Sequence, residues 1–407
     1  MVAGEEVTYE PVSVKEVLAE MKDTAELLID LSYSAVLLGS DEVAAEVVEL
    51  EERMDVLQLQ ARMSLLMATR SPDDAEALAP VLGVVGAAEK ISDAAGDIAK
   101  VVLEDIRLPE AMRAALPEAV ETVVRASIEM DSPFAGRDLA DLNLETETGV
   151  RAIAVRRQGD WLLNPTAETT LLAGDVVLFR GPAEGIDEVY ADATGETYAR
   201  PEPPDSAIDD LERAVDSIVL MKNMSELAVD LAYGAVLFDS DDLAEEVMEL
   251  EAEVDALQDR FEAWTLRAAG RVDEPIALRG LVHLAQSTEV ISDAAVEISE
   301  GVLRGLGTHP VVAEAVQESD EVIVRTVVAP ESALDGTTLG GMEVKTETGM
   351  RVIAIRRTGE SAHTGREGGD WEVSPGPETP LRGGDVLIAK GTRTGAERLA
   401  ELAAHDR

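Results

Sequence analysis

The chain has 407 residues and sets 82 Asp and Glu against 34 Lys and Arg, a formal net charge of −48 with a pI near 4.2. That balance argues against nucleic acid as a partner, because Lys and Arg are what displace the counterions of a phosphate backbone. The lack of cysteine excludes disulfides, thiolate metal sites and cysteine nucleophiles.

Hydrophobic residues still make up 46 % and fall into periodic patterns, so the acids belong on the solvated faces of a folded protein. Self-repulsion at this charge opposes compaction at low salt, and near 1 M salt the screening length shrinks to about 3 Å. Seven lysines stand against 27 arginines, with acids in the places lysine usually fills. The composition reads as adaptation to a concentrated ionic cytoplasm, that of a halophilic archaeon. No apolar run approaches the roughly 18 residues of a membrane span, and Met1 to Glu10 lacks the apolar centre of a signal peptide. A soluble, cytoplasmic protein is expected, one that reaches a membrane only through a transporter.

In chain order, Val17, Met21, Ala25, Leu28, Leu31 and Ala35 keep the spacing of an amphipathic helix that stops near Gly39-Ser40. A second helix starts at Asp41, carries Val43, Val47, Leu50, Met54, Leu57, Met63 and Leu66, and ends at Arg70. Ser71-Pro72 opens a third, with an N-cap followed by proline at the first helical position, and it runs through Val102. Short connections between long helices predict an antiparallel bundle. The period then changes. Strands are expected at Val120 to Ile128, Val150 to Val155 and Val176 to Phe179, separated by turn residues and closed by a short helix after Pro182.

All of this happens twice. Residues 21–103 recur at 221–303 with a constant offset of 200, including Ile91-Ser92-Asp93-Ala94-Ala95 as Ile291-Ser292-Asp293-Ala294-Ala295. The register holds into the strand region, where Thr146 to Gly149 and Arg156-Arg157 recur at 346–349 and 356–357. Each unit is large enough for two cores and too long for a solenoid repeat. The expected division is a helical bundle over 8–107, a small mixed α/β domain over 112–193, a linker over 194–207, a second bundle over 208–306 and a second α/β domain over 310–403. The third helix of the second bundle is placed after Pro275, and Glu360 to Gly369 is an insertion in the second α/β domain.

Glu89-Lys90-Ile91-Ser92-Asp93-Ala94-Ala95 and its copy from Glu289 resemble a segment of the PhoU family of three-helix phosphate-transport regulators. That family carries metal-binding E-x-x-x-D motifs, and the same spacing occurs at Glu26/Asp30, Glu51/Asp55 and Glu89/Asp93, and at Glu226/Asp230, Glu251/Asp255 and Glu289/Asp293. An i, i+4 spacing puts both carboxylates on one helix face, where pairs from neighbouring helices can present oxygen to a divalent cation. The alternative is a solvated or packing role, and the family's histidine is replaced by Ala94 and Ala294. The resemblance nominates Glu51, Asp55, Glu89, Asp93, Glu251, Asp255, Glu289 and Asp293 as metal ligands.

The strand region resembles the TrkA C-terminal domain, also called the RCK C-terminal domain. The residues that carry this are Thr148-Gly149, Val150 to Arg156, Gly159, Pro165 and Leu172 to Gly181, with Thr348-Gly349, Met350 to Arg356, Gly359, Pro375 and Arg382 to Gly391 in the second copy. The resemblance implies an α+β protein in which two PhoU-like bundles alternate with two TrkA C-terminal-type domains. It implies a small anionic effector at paired domains, cyclic di-AMP or another nucleotide, with Arg156, Arg157, Pro165, Arg356, Arg357 and Pro375 as contacts, since a guanidinium fork suits phosphate. The alternative for each arginine pair is that one points to solvent and the other makes a structural ion pair. It further implies a membrane cation transporter or channel as partner, and pairing of the two halves within a chain or in a homodimer. No G-x-G-x-x-G follows a strand, so no nicotinamide cofactor is expected. None of His283, His309, His363 and His405 recurs between halves, which leaves no credible base for a serine nucleophile and no zinc triad. The reading is a regulatory subunit of potassium or magnesium transport, or alternatively a metal-binding regulator of phosphate transport.

Overall fold

The computed structural model describes residues 13–104, 106, 122–144, 148–158, 160–163, 165–181, 183–198, 208–272, 275–305, 309–318, 322–357 and 371–404. The insertion Glu360 to Gly369, His363, His405, Gly159, Gly359 and the linker residues 199–207 lie outside them.

Three helices open the chain, α1 (Val14–Leu38), α2 (Asp41–Ala68) and α3 (Pro72–Leu103). Their ends follow local chemistry. Gly39 takes the left-handed conformation (φ 56°) that closes α1, and the Ser40 and Ser71 hydroxyls cap the amides of Val43 and Asp74. The apolar stripes meet in a core that includes Met21, Leu28, Leu31, Val47, Met54, Ile91 and Ile98.

A four-stranded antiparallel sheet follows, in the order β1 (Thr122–Ser127), β6 (Val176–Gly181), β3 (Arg151–Arg157) and β4 (Asp160–Leu163). Beside it, β2 (Arg137–Asp138) and β5 (Thr170–Leu171) form a short ribbon, with the one-turn helix α4 (Leu139–Leu142) after β2. Helix α5 (Ala183–Thr194) covers one face, burying Ile186 and Val189 against Val124, Val155, Val177 and Phe179. It starts so close to the Thr148–Val150 turn that a Cβ on Gly181 would stand 2.8 Å from the Gly149 carbonyl oxygen, and one on Gly185 would overlap that of Thr148.

The second copy repeats the plan with α6 (Asp209–Phe238), α7 (Asp241–Ala269) and α8 (Arg279–Leu303). The sheet order is β7 (Val322–Val327), β10 (Val386–Gly391), β8 (Arg351–Arg356) and β9 (Trp371–Val373). The one-turn helix α10 (Val344–Thr348) precedes β8 and α11 (Arg393–Ala403) closes the domain. Pro275 begins a 3-10 turn, not the helix itself, which starts four residues later at Arg279. The pattern reading missed α9 (Pro310–Glu318), which packs on both α1 and α6, and the edge strands β4 and β9.

Corresponding modules of the two halves cluster into two compact units, the helical bundles in one and the sheets in the other. In the helical unit α3 and α8 lie against each other, with Pro80 seated on Gly301 and Lys90 paired with Glu297. Two further contacts cross between the bundles. The Lys22 ammonium stands 5.4 Å from the Tyr233 ring centre and Lys222 stands 5.2 Å from that of Tyr33, each lysine also bonded to the glutamate one turn on, Glu26 or Glu226. The Tyr33 hydroxyl and Thr288 Oγ1 are 2.6 Å apart, and burial pushes the Tyr33 phenol up. Position 88, which corresponds to 288, is alanine, so this bond exists in one direction only. No described helix is long and apolar enough to cross a membrane.

Candidate functional site

The two arginines that end β3 have different surroundings. Arg157 donates from Nε to Asp175 at 2.9 Å, and from Nη2 to Asp175 at 2.6 Å and the Thr170 carbonyl at 2.7 Å. The Asp175 side chain is 3 % exposed and also accepts the Leu172 amide at 2.8 Å. Burial alone would raise its carboxyl, but the Arg157 guanidinium and the Leu172 amide outweigh burial and hold it below the ordinary carboxylate range. The second copy repeats the arrangement. Arg357 donates to Asp385 and to the Pro380 carbonyl, both at 2.7 Å, Asp385 accepts the Arg382 amide at 2.9 Å, and Glu372 adds a further bond. Arg157 and Arg357 therefore brace the turn that leads into β6 and β10. Sequence reasoning missed both aspartates as partners, although the signal was there: Asp175 and Asp385 each stand directly before the same apolar strand.

Arg156 and Arg356 stand opposite tryptophans in the edge hairpin, in register with Trp161 and Trp371. The Arg356 guanidinium lies 5.5 Å from the Trp371 ring centre. Trp371 Nε1 is buried with no acceptor among the described residues. An indole N–H can only donate, so leaving it buried without an acceptor costs about 1–3 kcal/mol. A guanidinium and an unsatisfied donor side by side suit an anion. Pro165 and Pro375, both half-buried, follow the same hairpins beyond β4 and β9, at the opposite end from the arginines.

The acidic pairs gather in one seam per bundle. Asp93 is raised by burial and then by Glu89, Asp55 and Asp97, and Glu51 by burial, Asp93 and Asp97 with Lys100 opposing at 3.6 Å. In the second bundle Glu251 is raised by burial, Asp255 and Asp293, Glu289 by burial, Asp293, Asp255 and Glu251, and Asp293 by burial and Asp255 with Lys90 opposing. The helices thus bring all eight nominated carboxylates into two neighbourhoods. Even so, no three carboxylates or imidazoles among the described residues stand where one metal ion could be shared. As placed, the seams do not form a coordination shell. Glu26 is drawn away to Lys22, and Glu226 to Lys222.

The PhoU domain family matches residues 18–102 and 218–302, and the TrkA-C domain family matches residues 123–193 and 323–404. Among solved structures, the crystal structure of PhoU from Pseudomonas aeruginosa is 13 % identical, covering 72 % of this chain and 96 % of its own with a TM-score of 0.40. The GsuK RCK domain is 14 % identical, covering 72 % of this chain and 70 % of its own with a TM-score of 0.18. The GsuK channel bound to NAD is 13 % identical, covering 79 % of this chain and 65 % of its own with a TM-score of 0.19. No curated protein matches the chain.

Proposed function

We propose that this chain, a member of the PhoU and TrkA-C domain families that carries each domain twice in alternation, is a cytosolic, non-catalytic, ligand-sensing regulator of cation transport. The two domain types point to regulation related to ion transport or to phosphate. The finer reading assigns a small anionic effector to the TrkA-C domains, a cyclic dinucleotide or adenine nucleotide, and a membrane potassium or magnesium transporter as the partner. One observation carries it: beside Arg356 the buried Trp371 N–H has no acceptor among the described residues, and an anion at that edge would supply one. Arg157 and Arg357 brace their turns through Asp175 and Asp385, and the contacts assigned to the effector are Arg156 and Arg356, in register with the hairpin tryptophans, with Pro165 and Pro375 at the far end of each hairpin.

An effector that binds one domain arrangement better than another shifts the population by that difference in affinity, and the bundles then relay it. The test is isothermal titration of the whole chain in molar KCl with cyclic di-AMP, ATP and ADP. Binding with one of them is expected, weakened by Arg356→Met and by Trp371→Phe, which keeps the ring and removes the donor. No heat with any of the three removes the nucleotide reading, and wild-type affinity in Trp371→Phe moves the site elsewhere.

A further inference from the structure

The two bundles differ on one face. Along α7, Arg260, Trp264 and Arg267 recur at i, i+4 and i+7 and so share a side of the helix over two turns. Arg213 of the neighbouring α6 reaches the same indole. Its Cζ is 4.8 Å from the Trp264 ring centre and that of Arg267 is 4.6 Å away. Leu220, two turns along α6 from Arg213, is 47 % exposed. At the corresponding positions the first bundle has Gln60, Ser64, Met67, Ser13 and Glu20, with Glu20 paired to Arg53. The basic and aromatic set thus belongs to one copy alone.

Acids outnumber bases 82 to 34 in this chain, so a guanidinium ordinarily has a carboxylate beside it. Among the described residues, Arg213, Arg260 and Arg267 make no ion pair. Arg260 donates to the Ala256 carbonyl at 3.0 Å, and the other two lie against the indole. An arginine stacked on an aromatic face keeps its edge N–H donors free for a carboxylate, and the stack restrains its side chain before a partner arrives. Arginine and tryptophan are also the residues that most often carry interface energy.

The geometry points to a docking face on α6 and α7 for an acidic amphipathic helix of a partner protein. Its carboxylates, at helical spacing, meet Arg213, Arg260 and Arg267, and an apolar side chain meets Leu220. A lipid surface is the poorer fit, since one exposed leucine buries little apolar area in a bilayer. The face lies on the bundles, so its loss and the loss of the effector site are read separately.

The probe is a labelled synthetic amphipathic helix of Glu and Leu, titrated with the full chain in molar KCl and followed by fluorescence anisotropy. The control variant combines Arg213→Ser, Trp264→Ser and Arg267→Met, residues that the first copy already tolerates at these positions, with circular dichroism to confirm folding. Wild type should bind, and the triple variant should bind about tenfold more weakly or worse, the loss of one interface anchor of moderate size, with nucleotide titration unchanged. Failure of the wild type to bind the peptide, or equal binding by both proteins, overturns the proposal. So does sedimentation with phosphatidylglycerol vesicles that the triple variant loses while peptide binding is absent.

Discussion

Replacing Asp175 with alanine separates the arginine that holds the fold from the one assigned to a ligand. The Asp175 carboxylate is 3 % exposed and accepts three hydrogen bonds, two from Arg157 and one from the Leu172 amide. Removing one partner of a fully buried pair costs about 3–5 kcal/mol when the other charge is trapped. Arg157 is not trapped. Its side chain is 40 % exposed, so water takes up the guanidinium. The loss reduces to the charge-assisted hydrogen bonds, about 2–3 kcal/mol. Asp175→Asn, which keeps an acceptor for the amide, should lose about half as much. The sign of the pH dependence follows from a carboxyl held below its unfolded value: the stabilisation is present above the ordinary carboxylate range and disappears as pH falls through the folded value. The difference between wild type and Asp175→Ala should therefore shrink in acid. Urea unfolding of the whole chain in molar KCl, followed by circular dichroism, measures it. A loss below about 0.5 kcal/mol, the scale of a surface ion pair, would refute the assignment. So would an Arg156→Met variant that destabilises as strongly as Asp175→Ala.

Other outcomes follow from the same geometry. Gly185→Ala and Gly395→Ala each drive a methyl group into the carbonyl oxygen of Thr148 or Thr348, which as backbone cannot rotate away. Each should cost about 1–3 kcal/mol by overpacking, and an unchanged melting temperature would show that the turn yields. Glu251→Gln should stabilise the second bundle by a few tenths of a kcal/mol at neutral pH, the usual scale for relieving like charges on a helix, because burial, Asp255 and Asp293 all act against its charge. A carboxyl raised in the folded state contributes stability that is fully present below its unfolded pKa and is lost as pH rises through the folded value, so the gain should vanish in acid. Glu51→Gln should gain less, since Lys100 already stands 3.6 Å away, and thermal melts across pH would expose the reverse order. Dilution into low-salt buffer should remove far-UV circular dichroism signal, and a native spectrum without salt would contradict the reading of the −48 charge.

Much of the fold is legible in the sequence by itself. Hydrophobic period and cap chemistry are local properties, so Gly39, Ser40, Ser71 and Pro72 marked the ends of α1, α2 and α3 to within a few residues. The duplication was equally plain, since an offset of 200 residues is a property of the string. Edge strands β4 and β9 were not, because strands this short carry too few residues for a period to register.

Sequence alone determined that the chain is two copies of a bundle followed by a small mixed domain, and which residue types recur in both. Only tertiary structure decided what each of those residues does. Arg156 and Arg157 are adjacent and chemically identical, yet successive strand residues face opposite sides of the sheet, so one meets the aspartate of a distant turn and the other stands opposite a tryptophan. The acidic pairs share one spacing, and the Lys22–Glu26 bond one turn along α1 follows from spacing alone, whereas the meeting of Asp55 on α2 with Asp93 on α3 is set by how the helices pack. The same holds for the halves themselves: they read as beads along the chain, and burial of α3 against α8 joins their bundles into one unit.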